Sequence, residues 1–229
     1  MRGTILARLF ALSTLLLAGP ASAQTARRTA PETNAEIVAR TPNALGVFKV
    51  QADGRILHLQ SGFLCPAALP SMSFWHAEVF ARTGADVGCD YGRADLAGHS
   101  IAKLTLFLVK GGDRPLDAVF EGYKAEAARA MPTLSYRGPA LTVESGQPDA
   151  SSYGDYRSAE FVGQLNGVDT DSQLLVAIRR GWILELRLTY RTQVGDIADA
   201  ENLAKDAASA PIVFLQALKA LEAGVGATI

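Results

Sequence analysis

Residues 172–192 read SQLLVAIRRGWILELRLTYRT, the most strand-like stretch of the chain. Two runs rich in Leu, Ile, Val and Trp flank Arg179-Arg180-Gly181, which marks a β-hairpin. A three-residue loop, a type I turn followed by a left-handed residue, places Gly181 where a Cβ would be penalised. Ile178 then pairs with Trp182. Leu174, Val176, Ile178, Trp182, Leu184, Leu186, Leu188 and Tyr190 share one face, and Leu175, Ala177, Ile183, Glu185, Arg187 and Thr189 take the other. A two-residue loop would mix these sets, which strict side-chain alternation disfavours. The expectation is one core face and one mixed face that is wet or only partly covered.

Outward from the hairpin, Ser100–Lys110 (SIAKLTLFLVK) alternates Ala102, Leu104, Leu106 and Leu108 against Lys103, Thr105, Phe107 and Val109, the pattern of a strand. Asp113 or Arg114 is expected to cap a following helix, with Pro115 in its first turn. Leu116, Val119, Phe120, Tyr123, Ala127 and Met131 form one apolar helical stripe, which Pro132 stops. A strand interrupted at Gly138-Pro139 spans Thr133–Glu144, and Ser145–Tyr153 is a loop. A strand over Asp155–Leu165 turns Ala159, Phe161 and Leu165 inward, and Asn166–Asp171 turns the chain into the hairpin. After it, Gly195-Asp196 opens a helix to about Ser209, and Pro211 begins a second helical piece through Leu221 that ends at Gly224 and Gly226.

Upstream, Asp53-Gly54 joins two short apolar runs as a hairpin, Ser61–Pro70 is a loop, and His76–Arg82 and Ala85–Tyr91 are candidate strands. The apolar loop residues Phe63, Leu64, Leu69 and Met72 read as a lid on the core in preference to a partner surface. Strands come in consecutive runs instead of alternating one for one with helices. This gives an α+β class, a largely antiparallel sheet with two helical regions packed on it.

The chain begins with a targeting segment. Arg2 and Arg8 flank a short n-region, Leu9–Ala18 is apolar, and Ala21-Ser22-Ala23 is an A-x-A site, so residues 1–23 read as a secretory signal peptide cleaved after Ala23. The apolar run is shorter than the roughly 20 residues a membrane span needs. Residues 24–44 then form a loosely ordered N-terminal arm, with a short helix around Glu32–Ala39, and residues 45–226 form a single α+β domain. The implied destination is the periplasm or the exterior. Removing the signal leaves 20 basic against 23 acidic residues, a formal charge of −3 with no basic block, which argues against nucleic acid as a partner. Cys65 and Cys89 are the only cysteines, and in an exported chain an even pair reads as a disulfide.

No motif carries chemistry with force. Gly98-His99-Ser100-Ile101-Ala102 resembles a truncated nucleophile elbow, but a strand follows Ser100 where the elbow needs a helix. Asp169-Thr170-Asp171 lacks the later ligands of a calcium loop. His58, His76 and His99 have no metal-ligand spacing, so neither metal nor cofactor is expected. The ligand-binding candidates are Lys103, Glu160, Glu185 and Arg187. Glu185, Arg187 and Thr189 share the hairpin's second face, and Lys103, Thr105, Ser158, Glu160 and Gln164 alternate outward on other strands, so one polar sheet face could floor a small polar ligand. The alternative is ordinary cross-strand charge pairing on a solvated face.

The helix Pro115–Met131, the strand after it, the hairpin around Gly181 and the C-terminal helix together resemble the PsbP/DcrB-type α/β sandwich of exported accessory proteins. The likeness is one of architecture and brings no site residues. It implies a non-catalytic binding or accessory factor of the cell envelope, engaging an envelope protein or a small polar ligand. The alternative is a small secreted hydrolase-type enzyme built from scattered residues such as His99, Ser100 and Glu185.

Overall fold

The chain's computed structural model describes residues 32–111, 113–140 and 155–223. The expected signal peptide, the first part of the arm, residues 141–144, the 145–153 loop and the glycines expected to end the last helix lie outside them. Among the described residues, ten strands and three helices follow in the order α1 (Asn34–Arg40), β1 (Phe48–Val50), β2 (Ile56–His58), β3 (Leu64–Cys65), β4 (Ser73–Val79), β5 (Asp86–Ala94), β6 (Ser100–Lys110), α2 (Leu116–Ala130), β7 (Leu134–Gly138), β8 (Tyr156–Leu165), β9 (Val168–Arg179), β10 (Trp182–Arg191) and α3 (Ile197–Ala223). The class is α+β with antiparallel sheets.

A seven-stranded sheet in the order β4-β5-β6-β10-β9-β8-β7 carries the fold, beside a three-stranded sheet β1-β2-β3. The hairpin lies at the middle of the large sheet, with β10 paired to β6 on one side and β9 on the other. Its register differs from the expected one. Trp182 pairs with Arg179 and Ile183 with Ile178, so the turn is the two-residue Arg180-Gly181. Both turn residues have positive φ, 52° and 76°, as a type I′ turn requires.

The physical reason is that both faces of the hairpin are covered. On the face under α3, Leu175, Ala177, Trp182, Leu184, Leu186 and Leu188 join one core. On the face under α2, Leu174, Val176 and Ile183 join a second core with Val119, Phe120, Ala127 and Phe161. An alternation rule that assumes one wet face therefore chooses the wrong loop length. A second I′ turn, Asn166-Gly167 (φ 54° and 78°), joins β8 to β9, so residues 168–171, expected as turn, are strand.

The helices follow their sequence signals with two differences. The apolar stripe of α2 faces the second core as expected, but Pro115 occupies the N-cap position and no side chain caps the helix. The two expected C-terminal pieces are one 27-residue helix, α3, with Pro211 inside it. Pro211 forgoes one backbone hydrogen bond. The helix continues because Ala210, Pro211, Phe214, Leu218 and Leu221 are all buried. Asp196 caps α3, its Oδ1 accepting from the N–H groups of Ala198 (2.7 Å) and Asp199 (3.3 Å).

Helix α1 opens on a capping box between Thr33 and Glu36, which holds the Glu36 carboxyl below its usual range through the Thr33 backbone N–H. Ile37 and Val38 of α1 are buried in the α3-side core. The Cys65–Cys89 disulfide joins β3 of the small sheet to β5 of the large one. Phe63, Met72 and Phe74 are buried around it, so the apolar loop is a lid on the core.

Candidate functional site

Strand pairing fixes which polar residues share a face. Across β5, β6 and β10, Asp90 pairs with Thr105 and Thr105 with Arg187. One row along, Lys103 pairs with Thr189, and on the other side Phe107 pairs with Glu185. Lys103, Glu185 and Arg187 therefore come together on the α2-side face, as their alternation suggests. Helix α2 lies over β7, β8 and β9, so among the described residues no helix packs on this β5–β6 half of that face.

The strip holds two ion pairs side by side. Arg187 meets Glu185 at 2.6 Å, the carboxylate 1% exposed and the guanidinium side chain 12%. Lys103 meets Asp90 at 2.8 Å, where the carboxylate is buried and the ammonium about half exposed. Thr105 lies between the two pairs, and Phe107 flanks the Arg187–Glu185 pair, with the Arg187 guanidinium 6.0 Å from its ring centre and the Phe80 ring centre also 6.0 Å away. Ser172 and Thr189 hydrogen-bond at 2.9 Å at the edge of the α2-covered region. Trp75 lies over Gly92, whose missing side chain leaves room for the indole: a Cβ there would clash with the ring. Trp75 and Phe80 are exposed at the strip's margin. Arg187 and Lys103 thus neutralise buried carboxylates while only Lys103 presents much of its charge to solvent.

Glu160 is on the opposite face, and so are Ser158 and Gln164, because Glu160 pairs with Gln173, whose other neighbour is Leu188. There it joins a second polar cluster that alternation does not reveal. Arg137 approaches Glu160 at 3.8 Å, and Asp171 pairs across strands with Tyr190. Burial raises the Tyr190 hydroxyl to about 12, helped by the neighbouring Asp171 carboxylate. Burial also raises the Asp171 carboxyl, against the pull of Arg137. Gln173 is buried in the same patch. Its place, on a strand with two covered faces, becomes legible only with the register.

The histidines are dispersed. His58 is buried between Phe48 and Trp182, its Nδ1 2.7 Å from Ser61 Oγ, and burial pushes it down to about 4. His76 is on β4, beside Asp90. His99 sits in the β5–β6 turn, where its backbone N–H donates to Asp95 Oδ1 at 2.8 Å and its Nδ1 lies 3.2 Å from Asp95 Oδ2. Ser100 starts β6, whereas Glu185 pairs with Phe107 seven residues further along, about 23 Å away by strand rise. His99, Ser100 and Glu185 do not converge. No described group of three or more His, Cys, Asp or Glu side chains is arranged to hold a metal ion. No described helix is long and apolar enough to cross a membrane.

Against known proteins, no family model matches the chain and no curated protein does. Among solved structures, it is similar to LpqN, a protein involved in cell envelope biogenesis of Mycobacterium tuberculosis, at 16% identity and a TM-score of 0.34, over 62% of this chain and 76% of that one. It is similar to a point mutant of the protein Mog1 at 11% identity and a TM-score of 0.36, over 76% of this chain and 90% of that one. It is also similar to CalU16 of Micromonospora echinospora at 12% identity and a TM-score of 0.25, over 62% and 95% of the two chains.

Proposed function

We propose that this chain is an exported periplasmic protein that acts as a non-catalytic binding or accessory factor of the cell envelope. It engages its partner through the strip between Trp75 and Arg187 on the helix-free half of the large sheet. The observation that carries this reading is the pairing of Lys103–Asp90 with Glu185–Arg187 on one face, flanked by the exposed rings of Trp75 and Phe80. Aromatic rings beside half-buried cations are the composition of protein-recognition surfaces. The signal-peptide pattern of residues 1–23 and the Cys65–Cys89 bond support an oxidising compartment.

The test is affinity capture from an envelope extract of the source organism, with the oxidised protein from Gln24 onward as bait. Three baits are compared: the native sequence, a Trp75→Ser/Phe80→Ser double variant, and Trp182→Ala as an unfolded control. A protein retained by the native bait and lost from the double variant supports the strip. Retention unaffected by the double variant, or retention of nothing, overturns it.

A further inference from the structure

Away from the strip, at one end of the large sheet, the β5–β6 turn and the β10–α3 connection enclose a cleft of about 310 Å³. That is the lower end of the range for small-molecule sites, room for a single small ligand. Its lining combines an apolar wall with both signs of charge. Ile101, 2% exposed, and Val194 belong to the wall. Asp95, Arg191, Asp196 and Asp199 supply the charges.

The charges differ in what they already hold. Asp199 is bound by Arg93 at 3.0 Å, and Arg93 is itself anchored on the Ser71 carbonyl. Asp95 is fixed by the backbone and ring of His99, and these contacts hold its carboxyl below the usual range. Asp196 uses one oxygen, Oδ1, to cap α3. Arg191, also lining the cleft, has no ion-pair or hydrogen-bond partner for its side chain among the described residues. Among the described residues, the cleft therefore offers one uncommitted guanidinium, carboxylates held rigidly with acceptor capacity to spare, and a short apolar surface between them.

We propose that this cleft binds a small zwitterion of the α-amino-acid class carrying an apolar side chain. The ligand carboxylate meets Arg191, for which the guanidinium fork is suited. The ligand ammonium meets Asp196 and Asp95, and the side chain packs on Ile101 and Val194. A lone carboxylate would leave the acidic side unanswered and face repulsion from three aspartates. A lone amine would leave Arg191 unpaired beside its own positive charge. The proposal does not rest on the partner-binding role of the strip.

The test is thermal unfolding of the oxidised protein, from Gln24 onward, with L-valine, L-leucine, isovalerate or isobutylamine added up to 10 mM. The expected result is a Tm rise of about 3 °C at a concentration ten times Kd with an amino acid, and under about 1 °C with either half-ligand. In Arg191→Gln, whose unliganded Tm shows that the fold is kept, the rise disappears. Equal rises with isovalerate, a rise that survives Arg191→Gln, or no rise with any of the four compounds would each overturn the proposal.

Discussion

The rings of His58 and Trp182 meet edge to face, with centroids 5.4 Å apart and planes at 83°. The last residue of β2 in the small sheet is thereby seated on the first residue after the central hairpin's turn. The contact makes the docking of the two sheets sensitive to protons. In the unfolded chain a histidine takes its proton near 6.5, and in the folded protein His58 does so only near 4. Above pH 6.5 both states are neutral and nothing is lost. As pH falls from 6.5 towards 4 only the unfolded state gains the proton, so stability falls by up to about 3 kcal/mol. Urea unfolding at about pH 7.5 and about pH 4.5 should show this loss. In His58→Phe the difference between the two pH values should shrink, and an unchanged difference would show that His58 is not its source.

Reduction of Cys65–Cys89 should cost about 3.5 kcal/mol for a loop of this length in the chain-entropy model. The bond ties β3 to β5, so the loss should begin at the junction of the sheets. Hydrogen exchange of the reduced protein should show protection falling first in β1–β3 and last in β6, β9 and β10.

The Glu185–Arg187 pair belongs to the fold before it belongs to any ligand. Arg187→Met leaves a carboxylate buried without its cation and should cost about 3–5 kcal/mol. Combining it with Glu185→Leu should recover a large part of that cost, which a denaturation double-mutant cycle reads directly. A sum of independent losses would show that the two side chains are not coupled. Binding tests of the strip are therefore made at Trp75 and Phe80, whose exposed rings can be removed without stranding a charge.

Two glycines should respond differently to alanine. Gly181, φ 76°, has no atom within 4 Å of an added Cβ, so Gly181→Ala costs only its backbone strain, about 1 kcal/mol. Gly163, φ 153°, would place its Cβ 2.5 Å from the Thr133 carbonyl oxygen, a backbone atom that cannot step aside. Gly163→Ala should cost about 3 kcal/mol or more by chemical denaturation.

Asp206 is buried on α3, and burial raises its carboxyl against the help of Ser71 and Arg93. A raised carboxyl means that the folded state accepts the proton more readily than the unfolded chain, so this group's contribution improves as pH falls. Asp206→Asn should therefore raise Tm at about pH 7, with the gain narrowing towards acid. A lower Tm at neutral pH would mean that Arg93 outweighs burial.

Much of this architecture is legible in local pattern. β6 runs over Ser100–Lys110 as its alternation implies, the α2 stripe from Leu116 to Met131 lies wholly in one core, and Cys65 reaches Cys89. What local pattern does not carry depends on layers. The expected loop between β9 and β10 is one residue too long, because apolar residues on both faces give alternation no wet side to orient by. The same slip puts Leu174 and Val176 on the face of Leu184. Alternation groups Glu160 with Lys103 because both point outward from their own strands, but which face a strand presents depends on register with its neighbours. Pro211 reads as a boundary because a local rule cannot see the buried side chains that carry α3 through it. The Arg191 cleft has no sequence signal at all, since its residues come from two connections that meet only in the folded chain.

The two-sided covering of the hairpin has a consequence before the chain is folded. Residues 174–178 (LLVAI) and 182–186 (WILEL) are short, strand-forming and nearly free of charge, which is the composition of self-associating segments. Neither has a polar side to turn towards water until α2 and α3 are in place. The charges that interrupt them are Arg179-Arg180 at the turn and Arg187 beyond, placed as gatekeepers. In the finished protein Arg179 pairs with Glu222 and Arg187 with Glu185, so the same arginines that keep nascent hairpins apart are later absorbed into ion pairs. Soluble yield, more than melting temperature, is the property most exposed to their loss.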